Sequence, residues 1–266
     1  MPALGLEGYT MKNILAIWQR EMKSYFVSPI AYVVLTIFLL IAGFFFYTIL
    51  SAWMQQTMMQ AMYGQGSPPV DVPGMVSRSF FGTISVVLLF MLPMLTMGLF
   101  AEEKKRGTIE LLLTTPVSNV QALMGKYLAS LTFLIIMFAA SGITISALFI
   151  YGEPDWKPIM AGYMGLILYG AALLAVGLFI STLTENQIVA GVITLGIILL
   201  LWLIDALASG AQGVTRDVLS YLSVISHLDD FIKGVIDTTN VIFYVTFAFF
   251  GLFLTYRSLE SLRWKS

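Results

Sequence analysis

The 266-residue chain contains no cysteine and one histidine, and charged side chains make up only 11% of it. The missing thiols exclude a disulfide framework and thiolate metal sites, and carry no information on compartment. So little charge excludes an ordinary soluble domain, where roughly a quarter of residues are charged. A net charge of −1 leaves no basic excess, so no nucleic acid is expected among the partners. Strict polar–apolar alternation is absent too, which excludes a membrane barrel.

What remains is apolar length. Hydrophobic residues are 58% of the chain and the mean hydropathy is +0.87. Runs of roughly 20 apolar residues, each long enough to cross about 30 Å of hydrocarbon as a helix, recur along the chain. Six spans are expected, near 30–53, 80–100, 127–151, 159–182, 187–208 and 240–257, each ended by charge, proline, glycine or polar clusters. The fold class is therefore all-α integral membrane. No cleavable signal peptide is expected, because the first apolar run is too long and follows a basic amphipathic segment. Residues 1–10, "MPALGLEGYT", read as disordered, with Met11 an alternative initiator.

An even number of spans puts both termini on one side. Lys12, Arg20 and Lys23, then Lys104, Lys105, Arg106 and Lys126, then Arg257, Arg263 and Lys265 flank that side; Arg78, Lys157, Arg216 and Lys233 flank the other. The positive-inside rule then places both termini in the cytoplasm. Residues 11–28 carry Met11, Ile14, Trp18, Met22 and Tyr25 on one helical stripe with Lys12, Arg20 and Lys23 opposite, which predicts an amphipathic helix in the lipid interface, with Trp18, Arg20 and Lys23 as its anchors. A six-span domain follows over 29–257, and a short cytoplasmic tail over 258–266.

On the outer side, Met54, Met58 and Met62 share a helical face before Gly64, Gly66, Pro68 and Pro69 break it. Stacked thioethers can hold Cu(I), but methionine is more often a flexible filler of helix contacts. No cysteine or histidine stands nearby to complete a shell, so no metal is expected in the chain. Within 209–239, Leu222, Ile225, Leu228, Ile232 and Val235 recur at three- and four-residue steps, predicting an amphipathic helix or hairpin. His227, Asp229 and Asp230 there read as a capping or interface feature, with catalysis disfavoured. Small residues at Ala161, Gly165, Gly170, Ala171, Ala175 and Gly177 predict close helix packing. Apart from Asp205 the spans carry no ionisable side chain in their middles, which disfavours a proton- or sodium-driven carrier.

Polarity concentrates instead in the 101–126 loop, "AEEKKRGTIELLLTTPVSNVQALMGK". Gly107 interrupts the helix leaving the second span, "TIELLL" supplies about a turn and a half before Pro116 stops it, and Ser118 with Gln121 forms a capping box for the next helix. Ile109, Leu111, Leu112 and Leu113 are too many to leave wet and too few to span anything. They fit either a turn folded under its own bundle or a patch for a protein partner, which periodicity alone does not separate. No nucleotide-binding loop is present: Val120 stands where its first glycine would have to be, and Tyr127 replaces the Ser or Thr after Gly125-Lys126.

The run "EEKKRGTIELLLTTPVSNVQALMGKYLA" closely resembles the cytoplasmic loop of ABC-2 type permeases. "SPIAYVVL", "ISHLDDFIKGVID" and "LTYRSLESLRW" are similar to the gliding-motility-associated ABC permeases, from which Asn240 departs, an acidic residue being usual there. The resemblance implies the ABC-2 (type V exporter-like) permease fold in a bacterial inner membrane. It implies a homodimer on two copies of a separate ABC ATPase that binds ATP and Mg, and no enzymatic activity in this chain. It also implies roles: Glu102, Glu103, Lys104, Arg106 and Thr108 as polar contacts to the ATPase, Ile109, Glu110, Leu111 and Leu112 as a docking face, and Gly107 and Pro116 fixing its angle. The helix at 11–28 would brace that contact as the family's connecting helix does. In the gliding-type systems an auxiliary membrane-anchored protein with a large outer domain appears as well, and His227, Asp229, Asp230, Phe231 and Gly234 belong to the outer segment that would meet it. Two functions follow: ATP-driven export, or transmission of ATPase motion to an extracytoplasmic partner without solute transport.

Overall fold

In the computed structural model, residues 3–63, 71–108 and 118–263 are described, and every element among them is a helix. Among these described residues six helices are long and apolar enough to cross a membrane. The first, α2 (Pro29–Tyr63), follows a non-spanning α1 (Ala3–Val27); α3 is Val72–Thr96 and the short α4 is Ala101–Lys105. Then come α5 (Asn119–Ser146), the single turn α6 (Leu148–Tyr151), α7 (Trp156–Ser181) and α8 (Gln187–Gly210). Two short helices, α9 (Val214–Leu222) and α10 (Ser226–Ile232), precede the last span, α11 (Thr238–Arg263).

The starts of the helices are written locally. Asp71 accepts from the Gly74 amide at 3.0 Å, Asp155 from Lys157 at 3.0 Å, and Asn186 from Ile188 at 2.9 Å, each satisfying an amide that the first turn leaves orphaned. The expected capping box heads α5: the Gln121 amide donates to Ser118 Oγ at 3.3 Å, and the Ser118 amide to Gln121 Oε1 at 3.0 Å. At 35 residues α2 is about 52 Å long. That exceeds the hydrocarbon thickness, so its last turns, with Met54, Met58 and Met62 exposed, project beyond the spanning part. α1 is helical from Ala3, ahead of its amphipathic stripe at Met11.

α7 is the hub, packed against α3, α5, α8, α10 and α11. Two thirds (67%) of the spanning windows of α3 and α7 is buried, against 17% for α8, so the bundle has a core pair and an outer ring. Because lipid removes the hydrophobic drive between helices, the hub relies on small residues to let backbones approach. A Cβ at Gly177 would lie 2.1 Å from Thr96 Oγ1, and one at Gly251 would lie 2.9 Å from the Ala175 Cβ. The apolar faces left open lie on α2, α8 and α11, for example Leu40, Val192 and Phe249.

Candidate functional site

At the end of the bundle that carries α1, α4 and the α7–α8 turn, α1 packs along the first half of α5. Gly125 sets the separation: an added Cβ would meet Ile17 Cγ2 at 2.6 Å and the Ile14 carbonyl oxygen at 3.3 Å. The next residue, Lys126, has a side chain only 2% exposed. Its Nζ lies 3.1 Å from Glu21 Oε1 and 2.9 Å from Glu103 Oε1, and 5.3 Å from the centre of the Phe100 ring. Arg20 Nη2 reaches the same two oxygens at 2.7 and 3.2 Å. Two cations and two carboxylates from α1, α4 and α5 thus close a ring. A buried ammonium is tolerated only when paired this way.

Three neutral contacts extend the clamp: Asn13 Nδ2 donates to Gln121 Oε1 at 3.2 Å, Trp18 Nε1 donates to Thr132 Oγ1 at 3.0 Å, and the Tyr25 and Ser130 hydroxyls meet at 3.1 Å. The face bearing Ile17, Trp18 and Tyr25 is therefore turned onto α5, while Lys23 is exposed.

Burial alone would raise the Glu21 pKa, but Lys126 and Arg20 outweigh it and hold the carboxyl below its ordinary value of 4.5. A depressed folded pKa contributes stability that is present above 4.5 and lost as pH falls through the lower folded value. Acidification from neutrality is thus expected to leave the clamp intact down to that region and to weaken it below. The labelling rate of a cysteine placed at Ile17, measured from pH 7 downward, checks this.

α4 is tied to the bundle from the other side. The Phe100 amide donates to Ser181 Oγ at 2.9 Å, Lys104 Nζ to the Thr182 carbonyl at 2.5 Å, and Thr182 Oγ1 to Ser258 Oγ at 2.7 Å. Glu102 pairs with Arg106 one turn on, both partly exposed. Thr108 Oγ1 donates to the Glu103 carbonyl at 3.2 Å, and Gly107 takes φ +68°, a conformation that favours glycine. Ile109, Glu110, Leu111, Leu112, Leu113 and Pro116 lie outside the described residues.

Of the loop residues that the sequence points outward, Glu103 and Lys104 hold α4 to its own bundle, and Glu102 and Arg106 hold each other at the surface. Sequence reasoning missed Glu21 and Lys126. The available signal was the Gly125-Lys126 pair: a glycine admits a neighbouring helix, and a lysine beside it needs acids on that neighbour.

At the opposite end, His227 is buried and stacked on Phe243 at 3.8 Å between ring centres. Its Nδ1 is 2.7 Å from Asn240 Oδ1 and its Nε2 is 3.0 Å from the Tyr221 carbonyl; Asn240 Nδ2 donates to Asp230 Oδ2 at 2.8 Å. Asp229 pairs with Lys233 on the surface. Phe231 is fully buried, packed where a Gly165 Cβ would stand 2.4 Å away, and Gly234 ends α10 at φ +87° against Pro158. The expected apolar stripe of this segment is split by an extended Ser223. Leu228 turns inward, whereas Leu222 and Val235 are exposed. Asn240→Leu is expected to leave His227 Nδ1 and Asp230 without their partner and to cost about 2 kcal/mol. Thermal unfolding in detergent measures it. Among the described residues no group of three His, Asp or Glu side chains is placed to hold a metal ion.

The family model of ABC-2 family transporter proteins matches residues 15–256, which takes in the buried ion-pair ring, the first five spans, the His227 cluster and most of the sixth span. The chain belongs to the ABC-2 transporter family. Its relatives include the probable multidrug ABC transporter permease YbhS of Escherichia coli, 26% identical over 202 residues, covering 69% of this chain and 52% of YbhS. The ABC transporter permease protein NatB of Bacillus subtilis is 30% identical over 128 residues, covering 40% of this chain and 33% of NatB. This ABC-2 chain therefore spans about half the length of YbhS, or less for NatB, and shares the family's multi-pass membrane character.

Proposed function

We propose that the chain is the membrane-spanning subunit of an ATP-driven exporter in a bacterial inner membrane, with both termini cytoplasmic. Two copies act as a homodimer on two copies of a separate ATPase, which binds ATP and Mg and does the hydrolysis. The observation that carries this reading is the ion-pair ring joining Glu21 of α1, Glu103 of α4 and Lys126 of α5. Glu103 and Lys126 bracket the 109–117 segment on either side, and Glu21 ties both to α1. A pull on that segment then reaches three elements at once, and through Lys104 and Thr182 it reaches the hub. ATP-driven closure of the ATPase dimer would draw the two docking faces together and rock the packed spans between two arrangements. Leu111→Glu or Glu110→Arg is expected to leave insertion and folding intact while abolishing complex-dependent ATP hydrolysis in reconstituted vesicles. Hydrolysis at the parent rate would overturn the docking role.

A second reading is favoured by the rigid outer cap, where His227, Asn240 and Asp230 lock α9, α10 and α11 together. In it the chain works as the gliding-type permeases it resembles, passing ATPase motion to an auxiliary membrane-anchored protein bound at 54–79 or 209–239. Co-purification of such a partner, with no solute flux, would support it over export.

A further inference from the structure

With a neutral imidazole and an ionised carboxylate, the His227 cluster is short of one proton. Three contacts run in series from the end of α9 through α10 and α11: the Tyr221 carbonyl to His227 Nε2 at 3.0 Å, His227 Nδ1 to Asn240 at 2.7 Å, and Asn240 to Asp230 Oδ2 at 2.8 Å. Each contact needs one proton between its two heavy atoms. The ends of the series, a carbonyl and a carboxylate, only accept. In either orientation the Asn240 amide donates on one side and accepts on the other, so it supplies one proton across its two contacts. A neutral imidazole also supplies one. The third contact then sets acceptor against acceptor, where His227 and Asn240 are buried and water has little access to relieve it.

The neighbouring groups do not fill that gap. From α9 the Tyr221 ring meets the imidazole by its edge at 5.8 Å between centres, and Arg216 and Asp217 are exposed. From α11 Phe243 stacks on it at 3.8 Å, while the Tyr244 hydroxyl donates to the Val224 carbonyl at 2.7 Å. Asp229 pairs with Lys233 on α10, and Arg78 of α3 acts on that lysine by charge alone. Asp205 of α8 accepts from Ser223 at 3.1 Å, Asp237 accepts from the Thr239 amide at 2.8 Å, and Lys157 of α7 is exposed. We propose that His227, Asn240 and Asp230 form a binding site for one proton, held by the imidazole as its second N–H, which latches the end of α9 onto α10 and α11. Loaded, Nε2–H reaches the Tyr221 carbonyl, Nδ1–H reaches Asn240 Oδ1, and Asn240 Nδ2–H reaches Asp230. The Phe243 face favours the cation, and Asp230 across the amide balances its charge. When the proton leaves for water, the shorter Asn240 contact keeps the remaining N–H, and Nε2 is left bare against the Tyr221 oxygen. The end of α9 then lets go, because that helix has no buried residue of its own. The complete set of contacts belongs to the protonated form, so the latch is closed at low pH and opens as pH rises. The site does not depend on how an ATPase docks or on the cargo.

His227 is the chain's one histidine, so 15N-histidine labelling of the full chain in neutral detergent gives one pair of ring resonances. Titration from about pH 5 to about pH 9 is expected to show both ring nitrogens protonated at the low end and Nε2 losing its proton during the rise. In step with that loss, amide hydrogen exchange at the end of α9, corrected for its intrinsic rate, is expected to quicken about tenfold. Two variants move the cap in opposite directions. Asp230→Asn turns an end acceptor into a donor: it donates to Asn240 Oδ1, Asn240 Nδ2 donates to His227 Nδ1, and a neutral imidazole keeps Nε2–H for Tyr221. Every contact then has its proton, and exchange is expected to stay slow to the top of the range. His227→Phe removes both ring contacts, and exchange is expected to be fast at every pH. A carboxylate that is merely structural would be missed in Asp230→Asn, with fast exchange throughout, and that result overturns the proposal. So does a ring that is neutral across the range, that keeps both protons across it, or that titrates with no change in exchange.

Discussion

Lys126→Met is expected to release α1 from α5. The variant leaves Glu21 and Glu103 facing each other, 15% and 20% exposed, with only the half-solvated Arg20 between them. Removing one partner of a buried pair costs several kcal/mol, chiefly because the other charge is stranded. With Arg20 retained and both carboxylates partly wet, the cost here is about 3 kcal/mol. The measurement is unusually direct because the chain has no cysteine. A single cysteine at Ile17, 8% exposed, reports α1 release by its labelling rate, with thermal unfolding as the companion readout. Adding Glu21→Gln and Glu103→Gln removes the stranded charges and is expected to restore most of the stability. If the triple variant is as weak as Lys126→Met, packing and not charge holds the helix, and the proposed transmission through the ring fails.

The second large effect belongs to the neighbouring residue. Gly125→Val forces a branched side chain into a space where even a Cβ meets Ile17 Cγ2 at 2.6 Å, Ile17 Cβ at 2.7 Å and the Ile14 carbonyl at 3.3 Å. Overpacking of this kind costs about 1–3 kcal/mol, and the relief available is for α1 to move away, taking Glu21 from Lys126. The labelled cysteine cannot be at Ile17 in this case, so Trp18, whose indole bonds Thr132, is the reporter: its fluorescence is expected to shift as that contact breaks. Two comparisons sharpen the result. Gly125→Ala with Ile17→Ala is expected to remain displaced, since the clash includes the Ile17 Cβ itself. Gly142→Ala, on the same helix with nothing within 4 Å, is expected to be neutral or stabilising by about 0.4–1 kcal/mol. A normal Trp18 environment in Gly125→Val would mean that α1 does not depend on this close approach.

Several parts of the architecture were legible because they are decided within one helix or one turn. Spans follow from apolar length, and the Ser118–Gln121 box from side chains that satisfy amides three residues away. The cap over 209–239 was legible only in part. Its periodicity is real, but Ser223 breaks the helix, and only α10 turns its apolar residues inward. The α1 stripe announces an amphipathic helix, and its assignment to the lipid interface does not hold for Ile17, Trp18 and Tyr25, which α5 takes, because an apolar helix face and lipid satisfy the same pattern.

The sequence by itself determined that this chain carries six segments long and apolar enough to cross a membrane, that its polarity gathers in one loop, and which glycines and caps punctuate the helices. These properties depend on transfer of each segment into lipid and on hydrogen bonds local to each turn, and neither needs a tertiary partner. Only the tertiary structure decided that Lys126 is buried between Glu21 and Glu103, 105 and 23 residues away in the chain, and that α7 is the hub. Which charge meets which depends on how helix backbones approach one another. In lipid that approach is set by shape at single small residues such as Gly125, and no hydrophobic pattern records it.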